Sequence, residues 1–254
     1  MSKTVIVAQK YDEDTLVQQT TALYMEDQLG WKSVYAYNTE TFGSKGTLGR
    51  ESDREVVLTR HLHEALVKLN PRLPPSAYHD AIRQIVEYSV IQSTLQINQE
   101  KYRLLKDGVN VHFRDNKGEL IKRRLKVFDF DNPKENDFLA VRELWIRGSI
   151  YRRRADIVGF VNGIPLLFME LKNIHKDIRS AYENNLSDYK DTIPHLFYNN
   201  SIIVLGNGDE AKIGSYSSKY EYFHEWKRLT EDDKGIVDME TLLKGICDKN
   251  NFCV

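Results

Sequence analysis

Residues 151–173 read YRRRADIVGFVNGIPLLFMELKN, in which two uninterrupted apolar runs, 157–161 and 164–169, meet at Asn162-Gly163. Asn-Gly between hydrophobic runs is the strongest short-range hairpin signal, because both residues tolerate the positive φ of a tight turn. Apolar side chains fill consecutive positions rather than alternate ones, so both faces of each strand are covered. The stretch therefore predicts an antiparallel hairpin at the centre of a sheet.

Three charged residues fall where such strands should be driest. Asp156 opens the first strand, and Glu170 and Lys172 close the second, two residues apart and so on one face of it. A strict two-residue turn sets Asp156 opposite Met169 and on the other face from Glu170. One extra residue in the connection, or a bulge, brings Asp156 and Glu170 onto one face. The expectation is an odd register or a bulge.

Two carboxylates brought close repel each other, and at neutral pH they hold a proton or recruit a cation. All the candidate ligands are oxygens, which suits Mg²⁺ and leaves room for water and phosphate oxygens. A lysine beside such an ion can orient a water nucleophile or stabilise charge developing on phosphorus. The bland alternative is a strand-end Glu170–Lys172 salt bridge with Asp156 as a turn or cap residue.

The segment RRRADIVGFVNGIPLLFMELKN resembles the nuclease signature of the motor (R) subunit of type I restriction enzymes, a branch of the PD-(D/E)xK nuclease superfamily. LVKLNPRLP at 66–74, LLKDGVNV at 104–111, VFDFDNPKENDFLAV at 127–141, DYKDTIPHLFYNN at 188–200 and NGDEAKIGS at 207–215 follow in the family's order. The resemblance implies a restriction-endonuclease-like core that hydrolyses DNA phosphodiester bonds with Mg²⁺, for which Mn²⁺ can substitute. It makes Asp156, Glu170 and Lys172 catalytic, with Asp156, Glu170 and the Leu171 carbonyl as candidate metal ligands. It implies modification and specificity subunits as partners, the latter reading the target. ATP would act only through motor domains beyond this chain.

Two positions depart from the family's pattern. The helix ahead of Gly30-Trp31 often carries a glutamate twelve residues before the tryptophan, where this chain has Gln19, so no metal is assigned to it. Related subunits show Gln-x-x-x-Tyr after the hairpin, and here Asn185 and Tyr189 stand one helical turn apart. Asn185, Tyr189 and Arg154 are candidates for supporting the site or touching DNA.

With 254 residues and 41% hydrophobic composition, the chain can bury a substantial core. A net charge of -1 excludes a global field that draws it onto nucleic acid, so DNA contact must come from local patches. The basic residues Lys122, Arg123, Arg124 and Lys126, with Arg147 and Arg152 to Arg154, are expected to form the main one, suited to sequence-independent phosphate contact. Cys247 and Cys253 lack zinc spacing and read as free thiols. No apolar run approaches a membrane span and the start lacks a signal-peptide core, so a cytoplasmic location and no membrane partner are expected.

The pattern predicts one α/β domain with a central mixed sheet flanked by helices and extra N-terminal helices. Residues 1–108 are mainly helical, 109–215 hold the catalytic sheet and helix, and 216–254 form C-terminal helices. Helices are expected over 12–30 with Asp14 as a cap, over 53–69, and over 76–94 extending toward 105. Strands are expected over 31–37, 109–114, 120–130, 138–150 and 201–205. Further helices are expected over 177–191, near 220–226 and near 239–247. His61 and His63 fall on different helical faces and share no metal. The glycines over 42–50 lack phosphate-loop order, so no ATP site follows. Two other readings remain open: a non-catalytic module that docks DNA or a partner subunit, and a free-standing nuclease of the superfamily.

Overall fold

The computed structural model describes residues 13–252 except 116, 231, 233, 234 and 236. Its main sheet has seven strands in the order β1-β4-β5-β6-β7-β8-β9. These are β1 (Lys32–Tyr35), β4 (Phe138–Arg147), β5 (Arg152–Val161), β6 (Ile164–Leu171), β7 (Ile202–Gly206), β8 (Ala211–Gly214) and β9 (His224–Glu225). β1·β4 and β6·β7 run parallel and the other pairs antiparallel, giving the mixed sheet that the sequence predicts.

The β5–β6 hairpin lies at the sheet's centre. Asn162 and Gly163 take φ of 51° and 78°, the left-handed conformation the turn requires. All of β6 is buried, as is β5 from Ala155 onward. One face is covered by α1 (Glu13–Asp27), α2 (Thr59–Leu69), α3 (Pro75–Val86) and α6 (Met239–Cys247), where Trp31, Leu66, Ile85, Ile157, Met169 and Leu243 share one core. The opposite core joins Val141, Leu144, Val158, Phe168 and Leu205 to Ala181, Leu186 and Tyr189 of the helix after β6. That helix runs as a π turn over Ala181–Leu186 and then as α5 (Ser187–Thr192).

Several expectations need correction. Residues 53–58 are not helical; Arg50, fully buried, bonds both Glu40 carboxylate oxygens and the carbonyls of Glu55 and Trp145, fixing an irregular loop until α2 starts at Thr59. Residues 76–105 form two helices, α3 and α4 (Thr94–Asp107), because Ser93 and Gln96 cap each other's backbone and start a new helix. The strand expected over 120–130 stops at Leu125, the one over 138–150 at Arg147, and β1 is shorter than 31–37. Tyr220–Tyr222 is a single 3₁₀ turn leading into β9, so 216–254 is not wholly helical. Cys253 and residue 12 lie outside the described residues, as does the Asp14 side chain; Cys247 is free and buried.

The hairpin of β2 (Val109–Arg114) and β3 (Leu120–Leu125) forms a separate two-stranded sheet. It joins the main sheet at the turn end of β5, where Asn162 Nδ2 donates to Val127 O at 2.8 Å. Arg152 to Arg154 occupy the other end of β5, about 30 Å away at about 3.3 Å per residue. The expected basic concentration is therefore split in two.

Candidate active site

The β5–β6 ladder supplies the geometry. Ile157 pairs with Met169 and Gly159 with Leu167, but Phe160 pairs with Pro165, so a bulge shifts the register between Gly159 and Phe160. One step beyond the last pair, Asp156 faces Glu170, which is the odd register the sequence predicts. Past that point the strands part, β5 staying with β4 and β6 with β7. Asp156 reaches into the gap, and its Oδ2 accepts the Leu171 backbone N–H at 2.7 Å. Lys172 Nζ lies 2.9 Å from Glu170 Oε1, with both side chains largely buried.

The sequence reading missed two members of this site. In the β4–β5 register Arg142 pairs with Ile157 and Leu144 with Ala155, so Glu143 falls opposite Asp156. Val141 and Leu144 share one core although three residues apart, and so do Ala155 and Val158. Residues three apart on a regular strand point to opposite faces, so the pleat breaks on both strands at this pair. Glu143 takes a left-handed φ of 57°, which costs about 1–3 kcal/mol for a non-glycine residue. It is buried, and its Oε2 pairs with Arg154 Nε at 2.7 Å. The sequence signal was present: Arg142-Glu143 interrupts an otherwise apolar ten-residue strand.

The second is Gln18. With Thr21, Ala22 and Met25 it makes the buried stripe of α1 at helical spacing, and its Nε2 donates to Asp156 Oδ1 at 2.8 Å. Its neighbour Gln19, the position singled out from the family's pattern, is only partly buried.

Burial pushes the Asp156 carboxyl up to about 7, and the nearby Glu143 charge adds to this. The Leu171 N–H, Lys172 and Arg154 oppose the rise. Glu143 is also raised by burial, against Arg154, Gln18 and Arg142. The Tyr189 hydroxyl is raised by burial and by the charges of Glu170 and Asp156, which places the ring beside both acids. It donates to Arg154 O at 2.8 Å, and Asn185 offers its amide to the Tyr189 oxygen. Thus Asn185, Tyr189 and Arg154 all border the site. Arg154 also lies over the rings of Tyr37 and Trp145. Arg147 and Arg152 share Asp53, and Arg153 binds Asp188.

Among the described residues no three acidic, histidine or cysteine side chains converge on one point that would hold a metal ion. Asp156 and Glu170 nevertheless offer an all-oxygen pair. Mg²⁺ is commonly held by one or two carboxylates, with waters and phosphate oxygens completing its shell, so the residues fit such an ion. No helix among the described residues is long and apolar enough to cross a membrane.

The family model described as type I restriction enzyme R protein N terminus matches residues 10–222. The chain is 34% identical over 239 residues to the type I restriction enzyme HindI endonuclease subunit of Haemophilus influenzae, covering 91% of this chain and 22% of that protein. It is 28% identical over 231 residues to the putative type I restriction enzyme MjaIXP endonuclease subunit of Methanocaldococcus jannaschii, covering 89% of this chain and 21% of that protein. The chain thus spans about a fifth of the length of these relatives. With the match running through both sides of the β5–β6 hairpin, the chain belongs to the family of type I restriction enzyme R protein N termini.

Proposed function

We propose that this chain is the DNA-cleaving domain of a type I restriction enzyme R subunit, a Mg²⁺-dependent endonuclease that hydrolyses phosphodiester bonds. The observation that carries the reading is Asp156 facing Glu170 where β5 and β6 part, with Lys172 on Glu170.

Asp156 and Glu170 would hold the ion, with the Leu171 carbonyl as a further ligand. A bound divalent cation supplies charge stabilisation at the phosphate and a more acidic water. Gln18 and the Leu171 N–H fix both oxygens of Asp156 in advance, so little reorganisation accompanies the reaction. Lys172, held by Glu170, orients the attacking water or steadies the negative charge that grows on the phosphoryl oxygens. Tyr189 stays protonated and braces the Arg154 backbone. Mn²⁺ is expected to substitute. DNA is the substrate, modification and specificity subunits are the partners, and the cytoplasm is the compartment.

The test uses the R protein assembled with those partners. Lys172→Ala and Asp156→Ala should abolish cleavage while folding is retained. Cleavage by Lys172→Ala at the wild-type rate would overturn the assignment. Absence of specific Mn²⁺ binding at millimolar metal would instead favour a non-catalytic docking module on this fold.

A further inference from the structure

Three neighbouring strands each contribute one acid at the same level: Glu143 from β4, Asp156 from β5 and Glu170 from β6. The three form a row rather than a cluster, which gives two carboxylate pairs sharing Asp156. The Asp156–Glu170 pair is the one used above.

The Glu143–Asp156 pair carries two features of its own. Arg154 occupies only Oε2 of Glu143, and Oε1 is buried without a hydrogen-bond partner. Gln18 donates through Nε2 to Asp156, and its Oε1 is likewise buried without a partner. Both residues are 3% exposed. Two orphaned acceptor oxygens thus flank one carboxylate, and leaving such groups unpaired is costly. Lys172 and Arg154 supply two positive charges against three buried carboxylates. The balance at neutral pH calls for more positive charge, and every available ligand is a hard oxygen.

We propose that Glu143 and Asp156 bracket a second divalent-cation position, separate from that between Asp156 and Glu170, with Gln18 Oε1 as its neutral oxygen ligand. Asp156 bridges the two positions. The left-handed backbone of Glu143 then has a purpose, since the pleat break turns its side chain toward Asp156. Paired ions of this kind, about 3.5–4 Å apart, clamp the attacking and leaving oxygens of a phosphoryl transfer. The inference rests on the nuclease reading only for the first ion.

The experiment counts Mn²⁺ bound to the 254-residue chain without DNA, by calorimetric titration and by loss of the free-ion paramagnetic resonance signal. Wild type should bind two ions. Glu143→Gln should retain one and weaken the other by at least about tenfold, the loss that even an outer partner of a metal ligand causes. Gln18→Leu keeps every acid and should weaken the same ion only, which guards against a folding defect in the first variant. Asp156→Asn should lose both. One ion in wild type, unchanged by Glu143→Gln and Gln18→Leu, would overturn the second position and leave the first standing. No ion in wild type would overturn both.

Discussion

The Asp156 side chain takes the Leu171 backbone N–H at 2.7 Å, a bond that a main-chain carbonyl of β5 makes in an unbroken ladder. The site is thus a place where side-chain chemistry replaces sheet pairing. The cost of keeping that carboxylate dry leads to the first prediction.

Asp156 titrates near 7 in the folded chain because of burial, against an ordinary carboxyl value of 3.8. Between those values the unfolded chain loses its proton and the folded chain keeps it, so metal-free stability falls as pH rises through that window and levels off above it. Asp156→Asn removes the penalty and should stabilise the metal-free protein at pH 8 by up to about 4 kcal/mol, with little gain at pH 4. Chemical denaturation in EDTA at the two pH values checks this. An equal effect at both would refute it.

Asp137 behaves oppositely. A hydrogen bond from His61, with Lys32 adding to it, lowers its carboxyl to about 2 against the opposition of burial. Its contribution is complete above 3.8 and is lost as pH falls toward 2. Asp137→Asn should cost about 2 kcal/mol at pH 6 and nothing near pH 2, measured from the acid limb of the stability curve.

Gly163 has φ of 78°, and a Cβ there would sit 2.5 Å from Leu58 O and 2.8 Å from Leu62 N, which are backbone atoms at the start of α2. Leu58 N also donates to Gly163 O at 2.8 Å. Gly163→Ala should therefore destabilise by more than about 2 kcal/mol through strain and the displaced helix. A thermal melt unchanged from wild type would show that α2 can give way.

Tyr189→Phe keeps the edge contact with Phe168, at 5.7 Å between ring centroids, and removes the donor to Arg154 O. The expected loss is about 1 kcal/mol of stability, with the fold intact. Cleavage should drop less than in Lys172→Ala. Equal losses in the two variants would mean that the hydroxyl takes part in the chemistry rather than bracing β5.

The central hairpin was readable because its turn, its apolar runs and its terminal charges are all local. The bulge could be inferred too, since only an odd register puts Asp156 and Glu170 on one face. Glu143 could not be read this way: a left-handed kink at a non-glycine residue leaves no composition signal, and its partner lies across a strand pair. Gln18 was one residue from the position considered, and the stripe through Thr21, Ala22 and Met25 would have selected it. The break between α3 and α4 was legible in the Ser93–Gln96 capping box. The scattering of the arginines was not, because Asp53, Asp188 and Glu143 reach them from distant parts of the chain.

β6 has no wet side anywhere along its eight residues. A slip by a single position would exchange the two cores wholesale, so this strand has only one seating. Glu170 and Lys172 therefore cannot be retuned by sliding or tilting the element that carries them. Adjustment of the reactive centre is left to what borders it: the helix bearing Gln18, the kink at Glu143 and the π turn that leads to Tyr189.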